Sequence, residues 1–365
     1  VNWGSAIGCA LFQAGTRMIQ LLVASNRQIS LEDQTVHASR SCYNGIGKLR
    51  PKPLGVSHGV LLPEGCKVTL QQRVERQFSL HPLRLRSAGH VKECENRLKP
   101  VTTNQMHLFD THAHLASEHL ADDLPGVLAR AKAAGVSDIL SVGTDLATSR
   151  RGVDLATVNE GVRASAGIHP THAGEAEPGD WDEVVRLATD KSQVVALGET
   201  GLDNYWKEVP FPLQQDYFDR HLRLSQELNL PFIVHQRECM AEILEMLREA
   251  ASLGPLRGVM HSFTGTPEEA AECLSLGMHI SFAGMVTFKK SDDLRNVART
   301  IPTDRILVET DSPYLSPEPF RGKRPNEPAR VVHTAKCLAE VRGLSLADFA
   351  KQTTANARAL FAARK

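Results

Sequence analysis

The sequence predicts an α/β protein of the (β/α)8 TIM-barrel class, preceded by an N-terminal extension of unknown or no regular fold. Three observations lead there. Short apolar runs alternate eight times with longer amphipathic stretches across residues 106–365, which matches a barrel in count and size better than an open doubly wound sheet. Histidines and carboxylates recur at the downstream ends of those runs, the end at which a barrel gathers its functional loops. No GxGxxG or GxxxxGK[ST] follows any run, so the dinucleotide-binding and P-loop alternatives lack their main support.

The strand candidates, in order, are His107–Asp110, Asp138–Val142, Arg163–Gly167, Val194–Leu197, Pro231–Val234, Gly258–His261, His279–Phe282 and Arg305–Val308. Between them, apolar residues recurring at helical spacing predict helices over Leu124–Ala134, Trp181–Asp190, Leu213–Leu228, Met240–Ala251 and Pro267–Leu276. Pro and Gly punctuate the joins, as in Asn229-Leu230-Pro231 and Gly254-Pro255.

Residues 1–105 show no sustained period of 3.6 or 2.0, and apolar pieces such as Gly59–Leu62 stand isolated among polar neighbours. The sequence opens on Val1, and the first convincing folded start is at Met106. Residues 1–105 are therefore expected to be disordered or an over-extended start, with a genuine basic arm as the alternative. Residues 106–365 are expected to form the barrel domain. Lys+Arg and Asp+Glu balance at 42 each, yet residues 1–105 carry 14 basic and 6 acidic side chains and residues 106–365 carry 28 and 36. Overall neutrality argues against a basic coat for nucleic acid and against an acidic solvating chain. The acidic barrel disfavours a long electrostatic groove and suits a compact site that handles a chain end. The seven cysteines are scattered without a CxxC pair and are expected to be free thiols in a reducing compartment. The apolar stretch Ile19–Ser25 is too short to span a bilayer, and no cleavage-site pattern follows it. A cytoplasmic protein without membrane association or an obligate protein partner is expected.

The chemistry lies at the strand ends. The first strand leads into Asp110-Thr111-His112-Ala113-His114, and residues two apart in an extended chain point the same way, so His112 and His114 can present two imidazoles to one point. Strand four leads into Glu199, strand five into His235, strand six into His261 and strand eight into Asp311. Any one of these alone reads as an ordinary hydrogen-bonded strand-end residue. Four histidines and two carboxylates converging on one barrel face are instead the ligand types of one or two divalent cations.

The motifs FDTHAHL, GIHPTHA, GETGLD, LPFIVHQRE, HSFTG, ETDSPYLSP and GKRPNEP resemble, in order, the signatures of the TatD family of metal-dependent hydrolases and deoxyribonucleases within the amidohydrolase superfamily. The resemblance covers 106–365 and none of 1–105. It implies two divalent ions, Zn, Mn, Mg or Co. One would be held by His112, His114, Glu199 and Asp311, and the other by Glu199, His235 and His261. A carboxylate can bridge two cations in this way, whereas an imidazole cannot while keeping its second proton. The resemblance further implies that Asp311 accepts a proton from the attacking water, and that His169 lies near the substrate. Arg237 and Arg324 are expected to offer positive charge to phosphates, which positions a strand without reading its bases. Family members commonly write the last loop GKRNEP, whereas Pro325 intervenes here.

The implied function is hydrolysis of DNA phosphodiesters, as a 3′ to 5′ exonuclease on single strands or chain ends. Ester hydrolysis of D-aminoacyl-tRNA at the same site is the alternative, and a non-catalytic barrel module is a third reading that the intact ligand set disfavours. Tyr205 and Trp206 read as a packed loop cap in preference to a base-stacking surface. His119, His172, His221, His279 and His333 read as structural or exposed, and Cys239 has no evident base to make it a nucleophile.

Overall fold

A computed structural model of the chain describes residues 106–362; the expectations for residues 1–105 lie outside the described residues. Eight parallel strands pair in sequence order: β1 (Leu108–Ala113), β2 (Val136–Ser141), β3 (Val162–Ala166), β4 (Val194–Asp203), β5 (Phe232–Arg237), β6 (Gly258–Met260), β7 (Met278–Phe282) and β8 (Ile306–Val308). Helices α1 (Glu118–Ala121) and α2 (Leu124–Ala133) follow β1, and α3 (Leu146–Val158), α4 (Asp180–Asp190) and α5 (Phe211–Leu228) follow β2, β3 and β4. Next come α6 (Met240–Leu253), α7 (Pro267–Ser275) and α8 (Asp292–Thr300), after β5, β6 and β7. The chain ends on α9 (Val331–Val341) and α10 (Leu346–Leu360). This is the (β/α)8 barrel that the sequence predicts.

Local chemistry sets the helix starts. Asp145 and Thr148 cap α3 reciprocally, as Thr266 and Glu269 cap α7, each pair satisfying backbone N–H groups that no helix can satisfy internally. Both faces of each strand are covered, as parallel sheets require. Phe109, Leu140, Val142, Val195, Ile233, Val259 and Leu307 form the inner cluster. Leu108, Leu197, Phe232 and Ile280 pack with Phe218, Leu247 and Leu338 of the helices.

Helix α10 closes the end of the barrel from which the strands start. Ala357, Leu360 and the adjoining Phe361 join the inner cluster, with the Phe361 ring 6.0 Å from that of Phe109. Thr354 Oγ1 donates to the His107 carbonyl at 2.9 Å and Asn356 Nδ2 to the Ile306 carbonyl at 3.0 Å, which ties α10 to the starts of β1 and β8. Among the described residues, the opposite mouth is the one toward which the strands run.

The ring closes between β1 and the segment after β8. Asp311 N donates to His112 O at 2.9 Å and His114 N to Ser312 O at 2.7 Å, while Ala113 and Ser312 form a parallel bridge. The Asp110 carboxyl accepts from Thr310 N at 2.9 Å and from Thr310 Oγ1 at 2.6 Å.

Several strands run further than the sequence suggests. β4 continues through Glu199 to Asp203, because Gly198 and Gly201 adopt φ of 110° and 127°. A Cβ on Gly201 would lie 2.1 Å from the His235 carbonyl oxygen, and one on Gly198 would lie 2.8 Å from that of Ile233. Glycine alone lets β4 stay this close to β5. Likewise β1 reaches Ala113 and β5 reaches Arg237, so His112 and His235 sit within strands instead of after them. Cys239, Cys273 and Cys337 are free thiols. Among the described residues no helix is long and apolar enough to cross a membrane.

Candidate active site

The mouth toward which the strands run brings six of the sequence candidates together. His112 Nε2 lies 3.3 Å from His114 Nε2, and 3.3 Å from Glu199 Oε2 and 3.7 Å from Asp311 Oδ1. His114 Nε2 lies 3.7 Å from the same Glu199 oxygen and 3.3 Å from the same Asp311 oxygen. Donors held 2.0–2.1 Å from a tetrahedral ion stand about 3.3 Å from one another. The His112, His114 and Glu199 atoms can meet at one point, and Asp311 Oδ1 stands at comparable distances from both imidazoles.

Glu199 turns its other oxygen, Oε1, to a second group. His261 Nε2 is 2.9 Å away, His235 Nδ1 3.2 Å and His169 Nε2 3.5 Å. The two groups are contiguous, since the His112 and His261 rings stack at 4.0 Å and His112, His261 and Asp311 can also meet at one point. Imidazole and carboxylate donors without thiolate suit Zn²⁺, Mn²⁺ and similar divalent ions, so the donor set fits such cations in both chemistry and spacing.

Further carboxyl groups hold the donors. His235 Nε2 meets Asp203 Oδ2 at 2.9 Å and His261 Nδ1 meets Glu309 Oε1 at 3.3 Å; Glu309 Oε1 also accepts from Ser262 N at 2.6 Å. An imidazole that donates one N–H to a carboxylate has its other nitrogen aimed and its tautomer fixed. His112 Nδ1, by contrast, is buried without a hydrogen-bond partner. Burial pushes the Asp110 carboxyl up to about 8, although its bonds from Thr310 oppose this. Through those bonds Asp110 links β1 to the segment carrying Asp311.

The electrostatics favour ionised carboxylates. Burial alone would raise Glu199 and Asp311, but the surrounding imidazoles outweigh it. His261, His169 and His112 hold Glu199 well below the usual carboxylate range, and the His114 hydrogen bond with His112 and His261 lowers Asp311. Burial depresses His112 and, with help from His235, takes His169 down to about 4. Burial opposes protonation of His114, His235 and His261 as well, yet their carboxylate partners prevail and raise all three.

The remaining sequence candidates are placed unequally. His169 borders the second group, nearer the donors than a pure substrate contact requires. Arg237 is exposed on the last residue of β5, its guanidinium 3.8 Å from the centroid of the Tyr205 ring. Arg324 is exposed and touches none of the donors; its charge opposes the upward pull of burial and of Asp311 on the Tyr314 phenol. In the same loop Arg321 lies over Phe288 and Lys323 over Phe320, while Asn326 pins the loop to the segment after β8 by donating to Thr310 O at 3.0 Å. Tyr205 and Trp206 are not a packed cap: they are 46% and 49% exposed.

Sequence reasoning missed Asp203, Glu309, Asp110 and Tyr314, whose ring stands 5.8 Å from that of His114. A signal existed for the first two. Asp203 ends the GETGLD run and Glu309 opens ETDSPYLSP, so both are strand-end carboxylates of the kind already singled out.

Residues 109–362 match the family described as TatD related DNase. The chain is 40% identical to the uncharacterized metal-dependent hydrolase YabD of Bacillus subtilis over 256 residues, spanning 70% of this chain and 98% of that protein. It is 38% identical over 261 residues to a Pantoea vagans protein named 3′-5′ ssDNA/RNA exonuclease TatD, spanning 70% and 99%. Among solved structures, the TatD homologue YJJV of Escherichia coli superposes with a TM-score of 0.66 at 28% identity, over 70% of this chain and 97% of that one.

Proposed function

The chain belongs to the TatD-related DNase family, a family of metal-dependent hydrolases, and we propose that it removes nucleotides from the 3′ ends of single-stranded or frayed DNA with two divalent cations. One observation carries the reading: Glu199 turns Oε2 to His112 and His114 and Oε1 to His235 and His261. A carboxylate with one oxygen in each of two donor groups is suited to hold two ions as a pair. His112, His114, Glu199, His235, His261 and Asp311 would hold such cations, which when bound would supply Lewis acidity for activating water and polarising the phosphoryl group.

The other work falls to side chains. Asp311, kept ionised by His114, His112 and His261, accepts the proton of the attacking water. His169 Nδ1 accepts from Thr171 N at 3.2 Å, which leaves the ring's proton on Nε2. That N–H hydrogen-bonds a phosphate oxygen, and the ring is neutral at pH 7 because burial takes its pKa to about 4. Arg237 and Arg324 supply positive charge at the rim. The name of the Pantoea relative supports a phosphodiester over a D-aminoacyl ester as the bond cleaved.

The test is nucleotide release from single-stranded DNA by the purified chain loaded in turn with Mg²⁺, Mn²⁺, Co²⁺ and Zn²⁺. Glu199→Ala should reduce release well beyond the roughly 10- to 100-fold expected for loss of a partner outside the donor set, and bound metal should fall with it. Absence of release with every ion, or undiminished release by Glu199→Ala, would overturn the reading.

A further inference from the structure

We propose that Tyr205, Trp206 and Arg237 form a stacking platform for a nucleobase of a single-stranded substrate, linked to the donor groups through Asp203. The proposal rests on the phosphodiesterase reading above and names what holds the strand beside the cleaved bond. Among the described residues, Tyr205 and Trp206 are two of the few large apolar side chains left about half exposed, and they stand together, edge to face at 5.0 Å. The Arg237 guanidinium lies 3.8 Å from the Tyr205 centroid and 5.8 Å from that of Trp206. Among the described residues, no carboxylate forms an ion pair with it. A guanidinium laid on an aromatic face keeps its outer plane free to stack and its edges free to donate to phosphate. Aromatic and cationic surface together is what an unpaired nucleotide presents partners for, and every base has a π-face, so such a platform tolerates any sequence.

The platform is fixed to the site. Asp203 Oδ2 meets His235 Nε2 at 2.9 Å, while its Oδ1 accepts from Tyr205 N and Trp206 N, both at 2.9 Å. One carboxylate thus holds a donor imidazole and the backbone of both aromatic residues. Arg237 is paired across the sheet with Asp203, and its carbonyl accepts from Asn204 N at 2.8 Å. The ends of β4 and β5 therefore carry donor and platform as one rigid unit, a preorganisation that limits the ordering cost of binding.

The experiment compares single-stranded oligonucleotides with counterparts carrying abasic residues at the 3′ end, in DNA and RNA arms, on the full chain loaded with Mn²⁺. Tyr205→Ala/Trp206→Ala should raise KM for the base-bearing strand about 5- to 100-fold and erase the wild-type preference over the abasic strand. Tyr205→Phe/Trp206→Phe should restore that preference. An equal change on both substrates, or no change, overturns the platform. Should the wild type cleave no phosphodiester, the proposed reaction falls, and binding then decides the platform separately. A nuclease-resistant phosphorothioate oligothymidylate should quench the fluorescence lost in Trp206→Phe while its abasic counterpart does not, and equal or absent quenching overturns it.

Discussion

At His235 and His261 one ring nitrogen faces Glu199 and the other faces a carboxylate, Asp203 or Glu309. The outer carboxylate fixes the ring's rotation and makes the inner nitrogen the better donor. Asp203→Asn and Glu309→Gln keep the size of the side chain and remove its charge. Each should weaken divalent-ion binding about 10- to 100-fold, measured by competition with a chelating dye, with circular dichroism showing the fold retained. Wild-type affinity in both would reduce these partners to incidental neighbours. The residues that the sequence singles out most clearly are those whose spacing carries meaning by itself: His112 and His114, two apart in an extended strand. Asp203 carries the strand-end signal, but its role comes from a partner 32 positions away, which the local pattern of GETGLD does not specify.

Secondary elements were legible where a single period held over several turns, as in α5, α6 and α7. Their ends were less so. The sequence expectation ends β4 at Leu197, yet after an irregularity at Gly198 and Glu199 pairing with β5 resumes at Thr200 and continues through Gly201 to Asp203. On helix α5 His221 is structural, one of the two readings its sequence context allows. His221 on this helix is buried, its Nε2 accepting from Ile168 N at 3.1 Å and its Nδ1 2.6 Å from Tyr217 O. It thereby fastens α5 to the turn that presents His169. Burial lowers its pKa from 6.5 to about 4, so the ring is neutral in the fold while the unfolded chain takes up a proton near 6.5. Its contribution is complete above pH 6.5 and is lost as pH falls to about 4, a change of about 3 kcal/mol at most. His221→Gln should flatten the rise of urea-unfolding stability between pH 4 and 6.5. Parallel profiles for variant and wild type would refute the assignment.

The barrel as a whole has one plugged end and one working end. Phe361 sits in the plug with none of its side chain exposed, packed with Phe109 and the inner cluster. Phe361→Ala should cost about 3–5 kcal/mol in denaturant unfolding, and a loss below about 1 kcal/mol would show that α10 only rests against the strands. The eight-fold alternation made this architecture readable from 106–365, but not the role of α10, because a helix that caps a barrel has the same amphipathic period as one that lines its flank. The seam between β1 and the segment after β8 has a temporal meaning. His112 and His114 are made early in synthesis and Asp311 late, and they meet only when the circle is joined through Asp311 N to His112 O and His114 N to Ser312 O. A nascent chain short of its eighth strand has imidazoles but no finished cage. An ion lodged there would act as a clasp on the ring, its binding free energy adding to the work of prising the first and last strands apart. Chelation and ring opening would then be two faces of one equilibrium.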